Sequence, residues 1–169
     1  EIMMSAQYLN PDRAATGPDI QFAWHGTINP RQELVNDYEC TDGKSITESP
    51  LYQPSNWRIN RDPRLLMTIK AFEDSVVNSA GVKMGFNYNA QSGTGYEPVK
   101  DLNWDALPVD YSTKSEQDWV LLRYAEVLLI YAEARNEDTG PDQSVYDALN
   151  AIRARPGVNM PPVPTGLSK

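Results

Sequence analysis

The feature that most constrains this chain is a run of strong helix formers over residues 118–137 that is apolar around nearly its whole circumference. Its polar residues form one narrow stripe near Arg123, Glu126, Glu133 and Glu137. A helix this apolar has to lie among other elements, because water would otherwise contact most of its surface. Gly and Pro at 140–141 supply a stop signal. We therefore predict a helix over 118–137 and expect it to be the most buried element of the fold.

A second helix is predicted over residues 143–155, where Val145, Leu149 and Ile152 recur on one face. The short connection between the two helices predicts an antiparallel helical hairpin of tetratricopeptide-like type. One such hairpin cannot cover a helix that is apolar on all sides, and repeats of this type stack against neighbours. Either residues 1–112 wrap the hairpin, or further helices belong to a longer protein.

The remaining sequence predicts irregular structure. Residues 1–112 are rich in aromatics, Gly, Asn and Pro, which indicates short strands, turns and long loops, with strands favoured over 1–8 and 65–77 and a loop over 81–104. The predicted fold class is mainly α: a loop-rich region over 1–112, the hairpin over 113–157 and an extended tail over 158–169. The chain does not begin with Met or a targeting segment, so we expect it to be a piece of a longer precursor.

Charge and composition argue against several functions. The chain carries 15 basic and 23 acidic residues, a formal charge of −8, which disfavours nucleic acid as a partner. One Cys and one His exclude a disulfide framework and a zinc site rich in those residues. We expect no metal and no cofactor, and no apolar run is long enough for a transmembrane helix.

Several stretches, taken in order, resemble one known family. Together they span most of the chain and are more specific than any single motif. The stretches are EIMMSAQY (1–8), LVNDYECTDGK (34–44), NRDPRL (60–65), RYAEVLLIYAEA (123–134) and DALNAIRAR (147–155). In this order they resemble the SusD/RagB family of nutrient-binding lipoproteins from Bacteroidetes outer membranes. That family usually has Pro where Val120 stands, a departure that favours an earlier helix start here.

The resemblance implies a binding protein and not an enzyme. Family members sit at the cell surface over a TonB-dependent outer-membrane transporter and capture glycans, or sometimes peptides, for import. This implies one SusD-like domain with no catalytic residues and no cofactor. It also implies membrane association only through a lipid anchor that this chain lacks. The chain corresponds to a middle-to-late part of a full member.

Sugar rings stack on aromatic side chains, so the candidate ligand-binding residues are Trp24, Tyr52 and Trp57. All three lie in segments whose Gly, Pro, Ser and Asn content favours surface loops. The alternative is that each ring packs over the helical hairpin as part of a lean core. Weaker candidates of the same kind are Tyr88, Tyr96 and Trp104.

Two further interpretations remain open. Asp101, Asp105 and Asp110 cluster near Trp104 and would supply the carboxylate pair of a glycoside hydrolase. A protein-interaction module, docking through the hairpin or the acidic surface, is the third candidate. For the arginines and aspartate of 60–64 we expect a structural role, in which they tie loops together through hydrogen-bonded ion pairs.

Overall fold

The computed structural model describes residues 2–9, 22–23, 26, 28–71, 73–85 and 93–168. The helices named below are α1 (Gln32–Asp37), α2 (Pro63–Thr68), α3 (Tyr124–Thr139) and α4 (Gln143–Arg153), with a 3-10 turn over Trp104–Ala106. The strands are β1 (Ile2–Ala6), β2 (Ile69–Ala71), β3 (Ser75–Val77), β4 (Lys83–Gly85), β5 (Tyr96–Pro98) and β6 (Trp119–Arg123). The long elements of the described chain are helices, as a mainly α fold requires, and its strands are short.

The chain divides into two compact units. One unit comprises residues 1–5, 36–64 and 120–169, and the other comprises residues 6–35 and 65–119. The first contains α3 and α4. The second contains the antiparallel pairs β2–β5 and β3–β4, with Lys70 opposite Glu97 and Val76 opposite Met84.

The predicted strand at the start of the chain is confirmed as β1, and its partner corrects the start of the first predicted helix. β1 pairs with β6, which occupies residues 119–123, so the helix begins at Tyr124 and not near 118. Trp119 and Val120 are β-compatible residues, and pairing with a strand more than 100 residues away overrides their local helical context. The absence of Pro at Val120 therefore does not bring the helix forward.

The region 63–104 also differs from expectation in detail. The strand favoured over 65–77 is confirmed only at β2 and β3, since residues 63–68 form α2, with Pro63 at a position where its missing N–H costs nothing. The loop expected over 81–104 contains β4, β5 and the 3-10 turn. α1 falls in the region expected to be strand and loop.

The prediction that the first helix is the most buried element is wrong. Only Ala132 of α3 is buried, while Leu129 is 50% exposed and Ile130 is 57% exposed. The helix buries one narrow side against α4, where Ala132 meets Val145 and Ala148. The most buried side chains lie elsewhere, with Leu65, Ile69 and Val35 fully inaccessible.

The hairpin of α3 and α4 is confirmed, and specific polar contacts form its turn. Gly140 ends α3 with a φ of 82°, a conformation that favours glycine. The Asp142 carboxylate caps α4 by accepting from the backbone N–H groups of Ser144 and Val145, and it also accepts from Arg135 Nε at 2.9 Å. The Ser144 hydroxyl, which donates to Asp142, is the main reason that the pKa of Asp142 is lowered. The turn is thus held mainly by one aspartate.

The tail after α4 packs against the helical hairpin. Val158 and Met160 are buried, Val163 N donates to Asn150 Oδ1 at 2.8 Å, and Leu167 N donates to the Tyr146 hydroxyl at 3.2 Å. The tail therefore folds back along α4. No helix in the described part of the chain is long and apolar enough to cross a membrane.

The predicted division into 1–112, 113–157 and 158–169 stays a prediction. The second unit has its own core, in which buried aliphatic side chains surround the half-buried Trp104. These are Ala23, Val76, Val99, Leu102, Leu107 and Val109.

We expect Leu65→Ala and Leu129→Ala to lower the free energy of unfolding by very different amounts. Leu65 is fully buried, so its truncation should lower the free energy of unfolding by about 2–5 kcal/mol. Leu129→Ala should cost less than about 1 kcal/mol because half of that side chain already contacts water. Urea denaturation measures both. Equal costs would mean that the exposed side of α3 is covered in solution.

The exposed apolar side of α3, formed by Tyr124, Val127, Ile130 and Tyr131, should promote self-association at high protein concentration. Ile130→Lys should shift the protein toward monomer in sedimentation velocity, because it places a charge on this surface. The matched control is Val77→Lys, at another exposed aliphatic residue, 55% exposed. An unchanged sedimentation coefficient for Ile130→Lys, or the same shift for the control, would contradict this role.

Candidate functional site

The loop that carries two of the candidate rings is closed by a short antiparallel contact. Cys40 and Arg61 form an isolated β-bridge. On either side of it, Thr41 N donates to Asn60 O and Asp62 N donates to Glu39 O, both at 2.9 Å. The loop 42–59 therefore begins and ends at this bridge. Tyr52 and Trp57 lie in its second half.

Hydrogen bonds within the loop fix its conformation. Asp42 accepts from the Ser49 hydroxyl at 2.8 Å and from Lys44 N at 3.2 Å, and the Ser45 hydroxyl donates to Glu48 at 2.8 Å. Successive turns continue the pattern, as in the 3.0 Å bond from Asn56 N to Gln53 O. Polar residues of this kind satisfy the backbone locally, so the loop is ordered without helix or strand.

Arg61 joins the two candidate rings. It is only 4% exposed, and its guanidinium donates to Tyr38 O at 2.7 Å and to Trp57 O at 3.2 Å. The same guanidinium lies 5.5 Å from the centre of the Tyr52 ring, a cation–π distance. The positions of Tyr52 and Trp57 thus depend on one buried cation.

Trp57 has a second arginine against it. The Arg58 guanidinium carbon lies 4.7 Å from the centre of the Trp57 ring. Trp57, Arg58 and Tyr52 are all half-buried, so both rings are partly open to solvent. We call Tyr52, Trp57, Arg58 and Arg61 the aromatic–arginine cluster. The cluster places two aromatic rings and two guanidinium groups side by side.

In the 60–64 motif, which was expected to tie loops together, the longer links come from Arg61 and the Asp62–Arg64 ion pair is local. Asp62 accepts from Arg64 Nε at 3.0 Å and from Arg64 N at 2.9 Å, so this ion pair is local. The hydrogen bond to Asp62 is the main reason that the pKa of Arg64 is raised, and the guanidinium stays charged. Arg61 makes the longer-range links, through carbonyls.

A second arginine holds the start of the loop against α4. Arg153 Nη2 donates to Glu39 Oε2 at 2.6 Å, and Arg153 Nε donates to Pro161 O at 2.6 Å. Gly43 allows this approach: its φ is 77°, and an added Cβ would lie 3.0 Å from Pro161 Cγ. The loop is therefore positioned by the helical hairpin and its tail.

The other candidate rings have different surroundings. Trp24 and Tyr88 lie outside the described residues. The Trp104 indole packs on the core of the second unit and donates to Val99 O at 3.4 Å. The Tyr96 hydroxyl donates to Gln32 Oε1 at 2.7 Å. Trp104 is thus a half-buried ring on the core of its own unit.

Two of the acidic residues near Trp104 make local hydrogen bonds within the second unit. Asp105 accepts from Ser79 N at 2.7 Å, as a loop contact. Asp110 accepts from the Ser112 hydroxyl and backbone N–H, and these bonds lower its pKa. A general acid needs the opposite shift. Among the described residues, no group of three or more His, Cys, Asp or Glu is arranged to hold a metal ion.

The sequence did not reveal Arg58 or the linking role of Arg61. The only local signal was the Trp-Arg pair at 57–58. Neighbours in sequence seldom stack, so that pair predicts nothing without the loop conformation.

Comparison with known proteins decides the family. The family model for the SusD family matches residues 2–165. The chain belongs to the SusD family. This agrees with the resemblance carried by its ordered motifs.

Solved SusD-like structures share this fold. A SusD-like carbohydrate-binding protein from Bacteroides fragilis is 30% identical, with a TM-score of 0.73 over 96% of this chain and 35% of its own. A second SusD-like protein from the same organism is 24% identical, with a TM-score of 0.70 over 99% of this chain and 37% of its own. This chain therefore spans about a third of those SusD-like chains. No curated protein matches it.

We expect Arg61→Lys to lower the free energy of unfolding by about 1–3 kcal/mol, because hydrogen bonds between a buried guanidinium and the carbonyls of Tyr38 and Trp57 are lost. A lysine ammonium cannot reproduce the planar fork that spans Tyr38 O and Trp57 O. Urea denaturation followed by tryptophan fluorescence reports the loss. Arg31→Lys, at an exposed arginine, is the control and should change little. If Arg61→Lys leaves the free energy of unfolding unchanged, the loop does not depend on this guanidinium.

Proposed function

We propose that this chain is part of a cell-surface protein that binds glycans without cleaving them and delivers them to a TonB-dependent outer-membrane transporter. Its place in the SusD family supports the binding role, as does its 30% identity to a SusD-like carbohydrate-binding protein. In this proposal the hairpin of α3 and α4 is a tetratricopeptide-like unit of one SusD-like domain. Attachment of the whole protein to the outer membrane is through a lipid anchor.

The observation that carries the proposal is the aromatic–arginine cluster. Tyr52 and Trp57 lie half-buried on one hydrogen-bonded loop, each with a guanidinium against its ring. Pyranose rings present C–H faces that pack on such rings, and guanidinium N–H groups donate to sugar hydroxyls. Rings held by the protein before binding lose little conformational entropy when the ligand arrives. We include Trp24 in the proposed site on the sequence pattern alone.

Catalysis is not part of the proposal. The hydrolase alternative needs a carboxyl group with a raised pKa, and the shift at Asp110 is in the other direction. A pure sample incubated with polysaccharide should therefore release no reducing sugar. The protein-interaction alternative stays a prediction, with the exposed apolar side of α3 as the surface it would use.

We expect Trp57→Ala and Tyr52→Ala to weaken glycan binding by about five- to tenfold each, since a stacked ring contributes about 1 kcal/mol. The measurement is a glycan-array screen of neutral and acidic oligosaccharides, followed by calorimetric titration of the best ligand. Weak affinity, roughly micromolar to millimolar, is expected from two or three rings.

The control is Tyr111→Ala, which removes a ring that is 69% exposed in the other unit. It should leave affinity unchanged, and Trp57→Phe should retain most of it. The proposal fails if no glycan binds, if the alanine variants bind normally, or if Tyr111→Ala weakens binding as much as Trp57→Ala does.

A further inference from the structure

An apolar groove lies between α3, α4 and the tail that follows α4. Its volume is about 420 Å³, which is within the range of roughly 300–1,000 Å³ for small-molecule sites. Leu129 and Leu149 line it from the two helices, and Val163 and Leu167 line it from the tail. All four belong to one compact unit of the chain. None of the described residues that line the groove is part of the aromatic–arginine cluster, so this is a second candidate site.

Hydrogen bonds hold the tail in place as one wall of the groove. Val163 N donates to Asn150 Oδ1 at 2.8 Å, and Leu167 N donates to the Tyr146 hydroxyl at 3.2 Å. Both acceptors are side chains of α4, and Tyr146 itself lines the groove and is only 6% exposed. The wall is therefore formed before a ligand arrives, so binding loses little conformational entropy there.

Among the described residues that line the groove, Glu133 is the one that carries a carboxylate. It lies one turn after Leu129 on the same side of α3, because residues i and i+4 of a helix are neighbours. In the described part of the chain this exposed carboxylate has no ion-pair or hydrogen-bond partner, and no Lys or Arg lines the groove. Arg135, two residues further along, is paired with Asp142. The groove thus combines apolar walls with one unpaired anion.

We propose that this groove binds small amphipathic amines: the apolar part of the ligand packs between Leu129 and Leu149, and its ammonium group pairs with the Glu133 carboxylate. Packing there removes apolar surface of both partners from water. A neutral or anionic ligand in the same place would displace water from the carboxylate without supplying a cation, which is unfavourable. Charge complementarity therefore selects a cationic ligand. This function is additional to glycan binding and uses other residues.

The same carboxylate argues against a second copy of the chain as the occupant. A symmetric contact brings the same surface from both copies together. Two Glu133 carboxylates would then enter one apolar interface without a cation, and like charges in such a place repel. The formal charge of −8 on each chain adds to this repulsion at low salt.

The test compares three probes that share one apolar part and differ in charge: 4-phenylbutylamine, 4-phenylbutan-1-ol and 5-phenylpentanoate. Each is titrated into dilute protein and followed by the backbone amide signals of Leu149 and Leu167 in NMR spectra. We expect the amine to bind about three- to fivefold more tightly than the alcohol at low salt, and the carboxylate to bind most weakly. The advantage of the amine should fall as salt is raised.

Three variants make the result specific. Glu133→Gln should abolish the preference for the amine while leaving the affinity for the alcohol nearly unchanged. Glu126→Gln, the matched control, removes a charge from an exposed position of α3 outside the groove and should keep the preference. Leu129→Ala should weaken the amine and the alcohol by the same factor, because it removes part of an apolar wall that both contact.

The inference is overturned if no probe binds, if the alcohol binds as tightly as the amine, or if Glu133→Gln and Glu126→Gln have the same effect. It is also overturned if the dilute protein is a dimer in sedimentation velocity and Leu129→Ala makes it monomeric, since a second copy then occupies the groove. Glycan binding by the protein is measured separately, and its success or failure leaves these outcomes unchanged.

Discussion

The geometry of the candidate site depends on the burial of one guanidinium. Arg61 lies where the 42–59 loop closes, and its donors go to the carbonyls of Tyr38 and Trp57. Removing a cation from water is costly unless hydrogen bonds replace its hydration. Here two backbone carbonyls, Trp57 O within the loop and Tyr38 O before it, accept such bonds. The loop conformation and the burial of Arg61 therefore depend on each other. The Tyr52 ring adds a contact with the same cation.

Hydrogen bonds and ion pairs explain how the irregular segment 42–59 is ordered. Few aliphatic side chains of 42–59 are available to form a core, and the backbone of the segment forms turns. Order comes from the antiparallel contact at 39–41 and 60–62, from carboxylates that accept local N–H and hydroxyl donors, and from Arg153 reaching Glu39 from α4. Hydrogen bonds to charged groups stabilise more than neutral ones do, which suits a loop with little apolar surface to bury.

Local patterns predicted some elements and missed others for one physical reason. The periodic residues of α4 and the Gly-Pro stop signal before it were readable, since they act within a few residues of sequence. The start of α3 was not, because residues 119–123 pair with a strand more than 100 residues earlier. The burial of α3 was predicted wrongly because apolar side chains around a helix show which surface it could bury. They do not show which other elements pack against it. Tyr52 and Trp57 were identified from the composition of their segment. Their contacts with arginines depend on the loop conformation, which the spacing of residues in the sequence does not predict.

The charge distribution bears on how a glycan would be held and released. At physiological salt, charges on exposed surfaces are screened beyond about 8 Å. The chain's formal charge of −8 therefore has little effect on a glycan until the glycan is close to the surface. Long-range steering is the usual source of very fast association, so a cluster without it depends on contacts made after encounter. Stacking on two partly open rings is a short-ranged contact. On the proposed role, a ligand held in this way dissociates readily, and a protein that passes its cargo to a transporter requires that behaviour.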